Sequence, residues 1–400
     1  MIKKIAIEQL SVGMFIHDLD TAWLEHPFLH NRFKVADPST VNKIRIIGVK
    51  HIYIDTNRGK DLDDAPTVED VKKITGRRMH QSLSGHAPCL RQTSTTEESL
   101  AAKLIYKEAH HVVHELMRDV RLGKQVQVEK VEPLAEKIID SVFRNKDALI
   151  SLTRIKRKDQ YTFMHCVSVC ALLTAFAREQ GYDRDAMREV AIGALLHDIG
   201  KTYIPDVILN KPGKLSQEEF ELMKNHVLYS RDILQEYRNI SETSVRIAEQ
   251  HHERIDGTGY PYGLTQSQLP TTSQMAAIVD VYDALTSVRC YKDAWEPTYT
   301  LAKLLEWSPM HFGTELVQRF IRVLGIYPVG SLVELDSGKV GIVIEQGETD
   351  YLKPVVRLVY DSRRQHYIPV KDLDLGKNAQ EHIYTAVTPQ KYHINPAPFL

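Results

Sequence analysis

Hydrophobic positions change period along the chain, and each change marks a different kind of element. At the start, IKKIAIEQL alternates as a strand does, VNKIRIIGV carries a short helical stripe ending at Gly48, and HIYID is β-branched and aromatic. Residues 1–63 therefore predict a small α/β domain. Residues 64–97 are polar and aperiodic, rich in Ser, Thr, Gly and Pro, and predict a flexible linker. From Leu100 to about Leu122 apolar residues recur at helical spacing. Gly123 stops that pattern, and a second helix follows Pro133 through EKIIDSVF, so residues 98–144 read as connecting helices. Residues 145–325 are helical almost throughout, with candidates near 160–179, 185–198, 216–237, 241–252, 272–288 and 297–308. Ser216 and Glu219 in SQEE form a capping box. After Pro328 the period returns to two. VGSLVEL, GKVGIVIE and PVVRLVYD, separated by turns at Asp336-Ser337-Gly338 and Gln346-Gly347, predict a small antiparallel β extension over 326–400. The expected fold is mainly α: an all-α helical domain with a small α/β domain before it and a small β unit after it.

Composition narrows the class. The 400 residues are 43% hydrophobic and 26% charged, which excludes disordered and collagen-like chains. With 51 basic against 52 acidic residues, nothing draws the chain globally to polymeric nucleic acid or to an anionic membrane. No apolar run approaches the ~18 residues of a membrane span, and Glu8 and Gln9 interrupt any signal-peptide core. A cytoplasmic protein is expected. The four cysteines, Cys89, Cys166, Cys170 and Cys290, form neither a disulfide framework nor a C-x-x-C pair. Cys166 and Cys170 read as small core residues.

Histidine is the informative excess, with 18 in the chain. His110 and His114 share a helix face, but H-x-x-x-H without a glutamate base is no metalloprotease motif, and they read as structural. The helical domain is different. His165 lies in YTFMHCVSVCALL, His197 and Asp198 end AIGALLHDIGK, His226 lies in ELMKNHVLYS, His251 and His252 end RIAEQHHE, and Asp280 lies in AAIVDVYDALTS. Asp198 and Asp280 follow apolar runs that bury them, and a buried carboxylate is costly unless paired or metal-bound. Adjacent residues point about 100° apart on a helix, so His197-Asp198 and His251-His252 can each reach two ions. These nitrogen and oxygen donors suit iron, manganese, zinc, cobalt or nickel rather than a sulfur-selected metal. Seven ligands favour two ions, with Asp198 bridging. Such a pair activates water and clamps a phosphoryl group. Lys201 stands three residues after Asp198, and Arg289 and Lys292 follow Asp280 by nine and twelve, as cations for a diester. The Gly- and Pro-rich HHERIDGTGYPYG is a loop leaving two ligands, and its Tyr260 is placed to stack on a base or meet a phosphate.

HDIGK, HHERIDGTGYP and DVYDALTS, in this order, resemble the HD-GYP family of the HD phosphohydrolase superfamily over about residues 145–325. The resemblance implies an all-α HD-type fold with a two- or three-metal centre that hydrolyses cyclic di-GMP to pGpG and often GMP. It implies His165, His197, Asp198, His226, His251, His252 and Asp280 as metal ligands, Asp198 and Lys201 as catalytic, and Lys201, Tyr260, Arg289 and Lys292 as substrate-binding. Gly259, Tyr260 and Pro261 are the GYP signature, implicated also in protein partners. Three-metal members carry a glutamate where this chain has Tyr161, which favours two ions. Val288 and Cys290 flank Arg289 where the family often has aspartate and proline, which leaves a mixed cyclic GMP-AMP or a receptor role as alternatives. SVGMFIHDLD, WLEHPF and GVKHIYIDT resemble an uncharacterised domain often fused ahead of HD-GYP domains. Amphipathic helices before residue 150 are compatible with a homodimer.

Overall fold

The computed structural model describes residues 1–20, 32–46, 49–84, 91–153, 161–287 and 294–400. The chain divides into two compact units, residues 1–78 with 213–221, and residues 79–212 with 222–400.

The N-terminal strands β1 (Ile2–Ala6), β2 (Phe15–Asp18), β3 (Phe33–Lys34) and β4 (His51–Asp55) form an antiparallel sheet of order β1-β4-β2-β3. Helix α1 (Pro38–Ile46) covers it, and Ile5, Ile16, Ile44, Ile52 and Ile54 form a core that excludes water. Alternation in IKKIA becomes strand because one face is buried, and the strand gives way to a 3-10 turn at Ile7–Gln9. The helix starts earlier than its apolar stripe suggests, because the Asp37 carboxylate accepts from Thr40 N at 2.9 Å.

The stretch expected to be an irregular linker contains a helix, α2 (Val68–Leu83). Thr67 and Asp70 cap it reciprocally, with Asp70 N donating to Thr67 Oγ1 at 3.2 Å and Thr67 N to Asp70 Oδ2 at 3.1 Å. Its buried face is Thr75, Met79, Ser82 and Leu83, at helical spacing. Two of those four are polar, so the stripe is invisible to hydropathy.

The second unit is a bundle of helices. Helices α3 (Thr95–Arg121) and α4 (Val128–Thr153) pack against each other and against α5 (Tyr161–Glu179). Pro133 lies inside α4 rather than before it, tolerated because Val131, Leu134, Ala135, Ile138 and Ile139 are all buried around it. Helix α5 is apolar on nearly every side and runs through the centre. The unit also holds α6 (Arg184–Leu196), a 3-10 turn at Ile199–Tyr203, α7 (Asp206–Leu209), α9 (His226–Gln235), α10 (Glu242–Gln250), α11 (Thr271–Thr286), α12 (Pro297–Trp307) and α13 (Thr314–Leu324), of which α6, α11 and α13 pack on α5, and α8 (Gln217–Lys224) precedes α9 in the chain. Asp183 caps α6 through Ala186 N at 2.8 Å, and Ser216 and Glu219 make the expected box ahead of α8. The single helix expected over 216–237 is two, broken at Asn225.

Strands β5 (Leu332–Leu335), β6 (Lys339–Glu345), β7 (Val355–Asp361), β8 (His366–Asp374) and β9 (Ile383–Val387) form an antiparallel sheet of order β8-β7-β6-β5-β9, followed by α14 (Pro389–Tyr392). Gln346 N donates to Asp147 Oδ2 at 3.0 Å, and Thr95 N to Glu345 Oε1 at 3.0 Å, so the sheet is fastened to the start of α3 and beside the kink of α4 at Asn145. Among the described residues no helix is long and apolar enough to cross a membrane.

Candidate metal centre

Two glycines let the helices that carry the predicted ligands approach. A Cβ at Gly193 would stand 2.9 Å from Ser244 Cα, so α6 and α10 are in close contact and their ends, His197 and His251, meet. A Cβ at Gly200 would stand 2.1 Å from the His226 carbonyl oxygen, so the turn after Asp198 lies against the start of α9. Ser230 secures this contact: Gly200 N donates to its Oγ at 2.9 Å, and that hydroxyl donates to the His197 carbonyl at 2.8 Å.

These contacts bring all seven sequence-predicted ligands to one place. His165, His197, Asp198, His226, His251 and Asp280 are buried, and His252 sits at the rim. Asp198 is central. Its Oδ2 lies 3.5 Å from His197 Nε2 and 3.8 Å from His165 Nε2, while its Oδ1 lies 3.4 Å from His226 Nε2 and 3.8 Å from His251 Nε2. His165 Nε2 is 2.8 Å from Asp280 Oδ1, and His252 Nδ1 is 3.7 Å from Asp280 Oδ2. The donors group as His165, His197 and Asp280 on one side and His226, His251 and His252 on the other, each group within 4.8 Å, with one Asp198 oxygen toward each.

The imidazoles are held in one tautomer. His197 Nδ1 contacts the Ala194 carbonyl at 2.7 Å, His226 Nδ1 that of Met223 at 2.6 Å, and His251 Nδ1 that of Ala248 at 3.0 Å. A carbonyl only accepts, so each Nδ1 carries the proton and each Nε2 presents a lone pair. Those three Nε2 atoms and Asp198 Oδ1 are buried and have no hydrogen-bond partner. Buried polar atoms are rarely left so, and four turned on one another are what a cation would satisfy. The residues present therefore fit divalent metal.

Charge agrees. Burial holds His197, His226 and His251 down at about 4, so they are neutral donors at pH 7. Burial opposes the Asp198 and Asp280 charges, yet Lys201 and the imidazoles around Asp198, and His165 beside Asp280, keep both well below the usual carboxylate range. Lys201 Nζ is 2.5 Å from Asp198 Oδ2.

The reading from sequence did not single out Asp283. It is buried, one helical turn after Asp280, and its Oδ2 is 2.7 Å from His165 Nδ1. His165 lies inside α5, where no carbonyl is open to it, so a carboxylate orients it instead. The D-x-x-D spacing in DVYDALTS was the available signal. Glu253 was missed too. Buried in the loop after His252, it accepts from Tyr262 N at 2.7 Å and Leu264 N at 3.0 Å, and so closes the GYP loop on itself. In that loop the Tyr260 ring stacks on His252 with centroids 4.7 Å apart, and Lys224 Nζ lies 5.7 Å from its centroid. Arg289, Lys292, Val288 and Cys290 lie outside the described residues, as does the side chain of Tyr161. His110 and His114 pack about Phe163, at ring distances of 6.1 and 4.7 Å, and enter no metal grouping.

Residues 2–131 match the domain of unknown function DUF3391, residues 136–316 match the HD domain, and residues 332–395 match the KOW domain associated with HD domain. A cyclic di-GMP phosphodiesterase of Pseudomonas aeruginosa is 38% identical, over 95% of this chain and 90% of its own length. A cyclic di-GMP phosphodiesterase response regulator of Xanthomonas campestris is 35% identical over 45% of this chain and 48% of its length. A 3′3′-cGAMP-specific phosphodiesterase of Vibrio cholerae is 33% identical over 45% of this chain and 35% of its length. Near-complete coverage of the Pseudomonas relative, together with the HDIGK, HHE…GYP and DVYDALTS residues on one buried centre, makes this chain a member of the HD-GYP family that carries a DUF3391 domain ahead of its HD domain.

Proposed function

We propose that this chain hydrolyses cyclic dinucleotides, with cyclic di-GMP as substrate and pGpG or GMP as product. The observation that carries the reading is the set of partnerless donors, His197 Nε2, Asp198 Oδ1, His226 Nε2 and His251 Nε2, facing one another in a buried site. His165, His197, Asp198 and Asp280 would hold one divalent ion, and Asp198, His226, His251 and His252 a second. Iron or manganese suits these donors best, and zinc, cobalt and nickel are compatible with them. When bound, such ions supply a nucleophilic water at neutral pH and stabilise charge on a phosphoryl group.

The chain's own groups do the rest. Lys201 Nζ lies 2.5 Å from Asp198 Oδ2, where it can neutralise or protonate the departing 3′ oxygen. Tyr260, stacked on His252, offers an aromatic ring at the rim for a base. Arg289 and Lys292 are assigned to the phosphate that is not cleaved, Arg289 through a bidentate grip. A preference for 3′3′-cGAMP is the second reading, favoured by the Vibrio relative specific for it.

The test is anaerobic incubation of the Fe(II)- or Mn(II)-loaded protein with cyclic di-GMP and with 3′3′-cGAMP, followed by chromatography. The control is the His197→Ala/Asp198→Ala double variant. Metal-dependent loss of either dinucleotide, absent in the control, is expected, and the faster substrate decides between the readings. Tight binding of either without turnover would overturn hydrolysis in favour of a receptor.

A further inference from the structure

The helix that supplies His165 also brings sulfur to the centre. Cys166 is fully buried. Its Sγ, a ring nitrogen of His197 and a carboxylate oxygen of Asp198 all lie within 4.8 Å of one another. His197 and Asp198 are themselves 1% and 0% exposed, and each carries an atom with no hydrogen-bond partner. The thiol thus shares its pocket with two groups already suited to a cation. Cys170, one turn further along α5, is engaged elsewhere, donating to the Ala191 carbonyl at 3.4 Å. Of the two, only Cys166 enters a grouping of donor atoms.

Composition alone suggests a centre of nitrogen and oxygen, with both thiols as core filler. The fold changes that. We propose that Cys166 is a thiol donor at the His197–Asp198 side of the metal centre, recruited by Cd(II), which favours sulfur, and by Zn(II) and Co(II), which accept sulfur as well as nitrogen and oxygen, and idle toward Mn(II). This inference rests on the metal-centre reading above. On recruitment the S–H bond breaks, a sulfur–metal bond forms and the proton leaves to solvent; no oxidation state changes. Thiolate softness then sets which ions the centre retains, because N/O donors alone separate these ions poorly. A thiophilic ion drawn onto sulfur would also pull on the residue next to His165, and so compete with the ion that supports turnover.

The experiment uses the full chain and no dinucleotide. The Co(II)-loaded protein is expected to show a near-ultraviolet thiolate-to-cobalt charge-transfer band. Cys170→Ser and Cys290→Ser should keep the band and Cys166→Ser should lose it, with cobalt content unchanged. Cd(II) affinity, measured against a chromophoric chelator, should fall at least about tenfold in Cys166→Ser, since even outer-shell changes cost 10–100-fold at metal sites. Mn(II) affinity should not move. Cadmium NMR of the unaltered protein needs no variant and should place the ion in the range of sulfur-bound cadmium. A cobalt-loaded protein without the band, a band that survives Cys166→Ser, or a cadmium signal of nitrogen and oxygen ligation overturns the proposal. Failure to bind any ion would instead overturn the metal-centre reading.

Discussion

Gly200→Ala isolates the contact that places Asp198. A Cβ there would stand 2.1 Å from the His226 carbonyl oxygen, 2.5 Å from Ser230 N and 2.9 Å from Ser230 Oγ. Two of these atoms are backbone in α9 and cannot swing aside. Reaching ordinary contact requires the turn and α9 to part by roughly 1 Å, and overpacking of this kind costs about 1–3 kcal/mol. The movement separates Asp198 from His226, whose facing atoms are 3.4 Å apart, and weakens the Gly200–Ser230–His197 hydrogen bonds. A misplacement of about 1 Å at reacting groups costs roughly 10²-fold in rate. The variant should therefore melt lower than the parent, bind less than the parent's complement of Mn(II) by elemental analysis, and turn over about 100-fold more slowly. Gly76→Ala is the control. It is also a helix glycine, but nothing lies within 4 Å of its added methyl, and it should stabilise by about 0.5–1 kcal/mol. A Gly200→Ala protein that melts with the parent and carries its full metal would refute the packing argument.

Further outcomes follow from the same geometry. Asp283→Asn leaves His165 without its carboxylate partner and should weaken Mn(II) binding or activity about 10–100-fold, read by metal titration. Ser230→Ala strands a buried amide and a buried carbonyl and should cost about 1–3 kcal/mol in denaturant unfolding of the metal-free protein. That protein should also be acid-sensitive. His197, His226 and His251 are held at about 4 when folded against an ordinary 6.5, so the unfolded chain binds more protons between these values. Stability is then full above pH 6.5 and falls as pH drops through about 4. His165, raised by Asp280 and Asp283 despite its burial, acts in the opposite sense at higher pH. A melting temperature of the metal-free protein that is flat from pH 6.5 to 4 would contradict burial of three neutral imidazoles.

The helical domain was legible because its candidate ligands are punctuated by strong signals: apolar runs ending in HD, HH and D, and a Gly/Pro loop between. The break at Asn225 was not legible, since the apolar stripe runs on across it. What interrupts the helix is tertiary, a neighbouring turn pressed against the His226 carbonyl where Gly200 has no side chain. Helix α2 was hidden because half of its buried positions are Thr75 and Ser82, and only the Thr67–Asp70 cap betrays its start. Asp283 looked like one more acidic residue on a helix, and its role depends on α5 lying alongside α11. Cys166 shows the same limit. Composition predicts a small core thiol, and burial agrees, but its distance to His197 and Asp198 exists only once α5 packs on α6.

The three imidazoles whose Nε2 atoms have no partner share one local design, and it bears on why the centre suits cations. Helices α6, α8 and α10 end at Leu196, Lys224 and Gln250, and His197, His226 and His251 follow within two residues. Each ring turns back to donate Nδ1–H to a carbonyl three residues earlier, Ala194, Met223 or Ala248. Those carbonyls belong to last turns, where no helical amide remains to satisfy them. One hydrogen bond thus satisfies a last-turn carbonyl, selects the tautomer and aims Nε2 inward. It also brings the C-termini of α6 and α10 toward the site, each equivalent to roughly half a negative charge, whereas at His226 the end of α8 meets the start of α9 and the two dipoles oppose. The α6 and α10 termini add to the charges of Asp198 and Asp280, which Lys201 offsets only in part. Imidazoles kept neutral, as His197, His226 and His251 are, cannot balance that field, whereas divalent cations would. His165 breaks the pattern, being inside a helix rather than at its end, and that is why it alone needs a carboxylate, Asp283, to hold its ring.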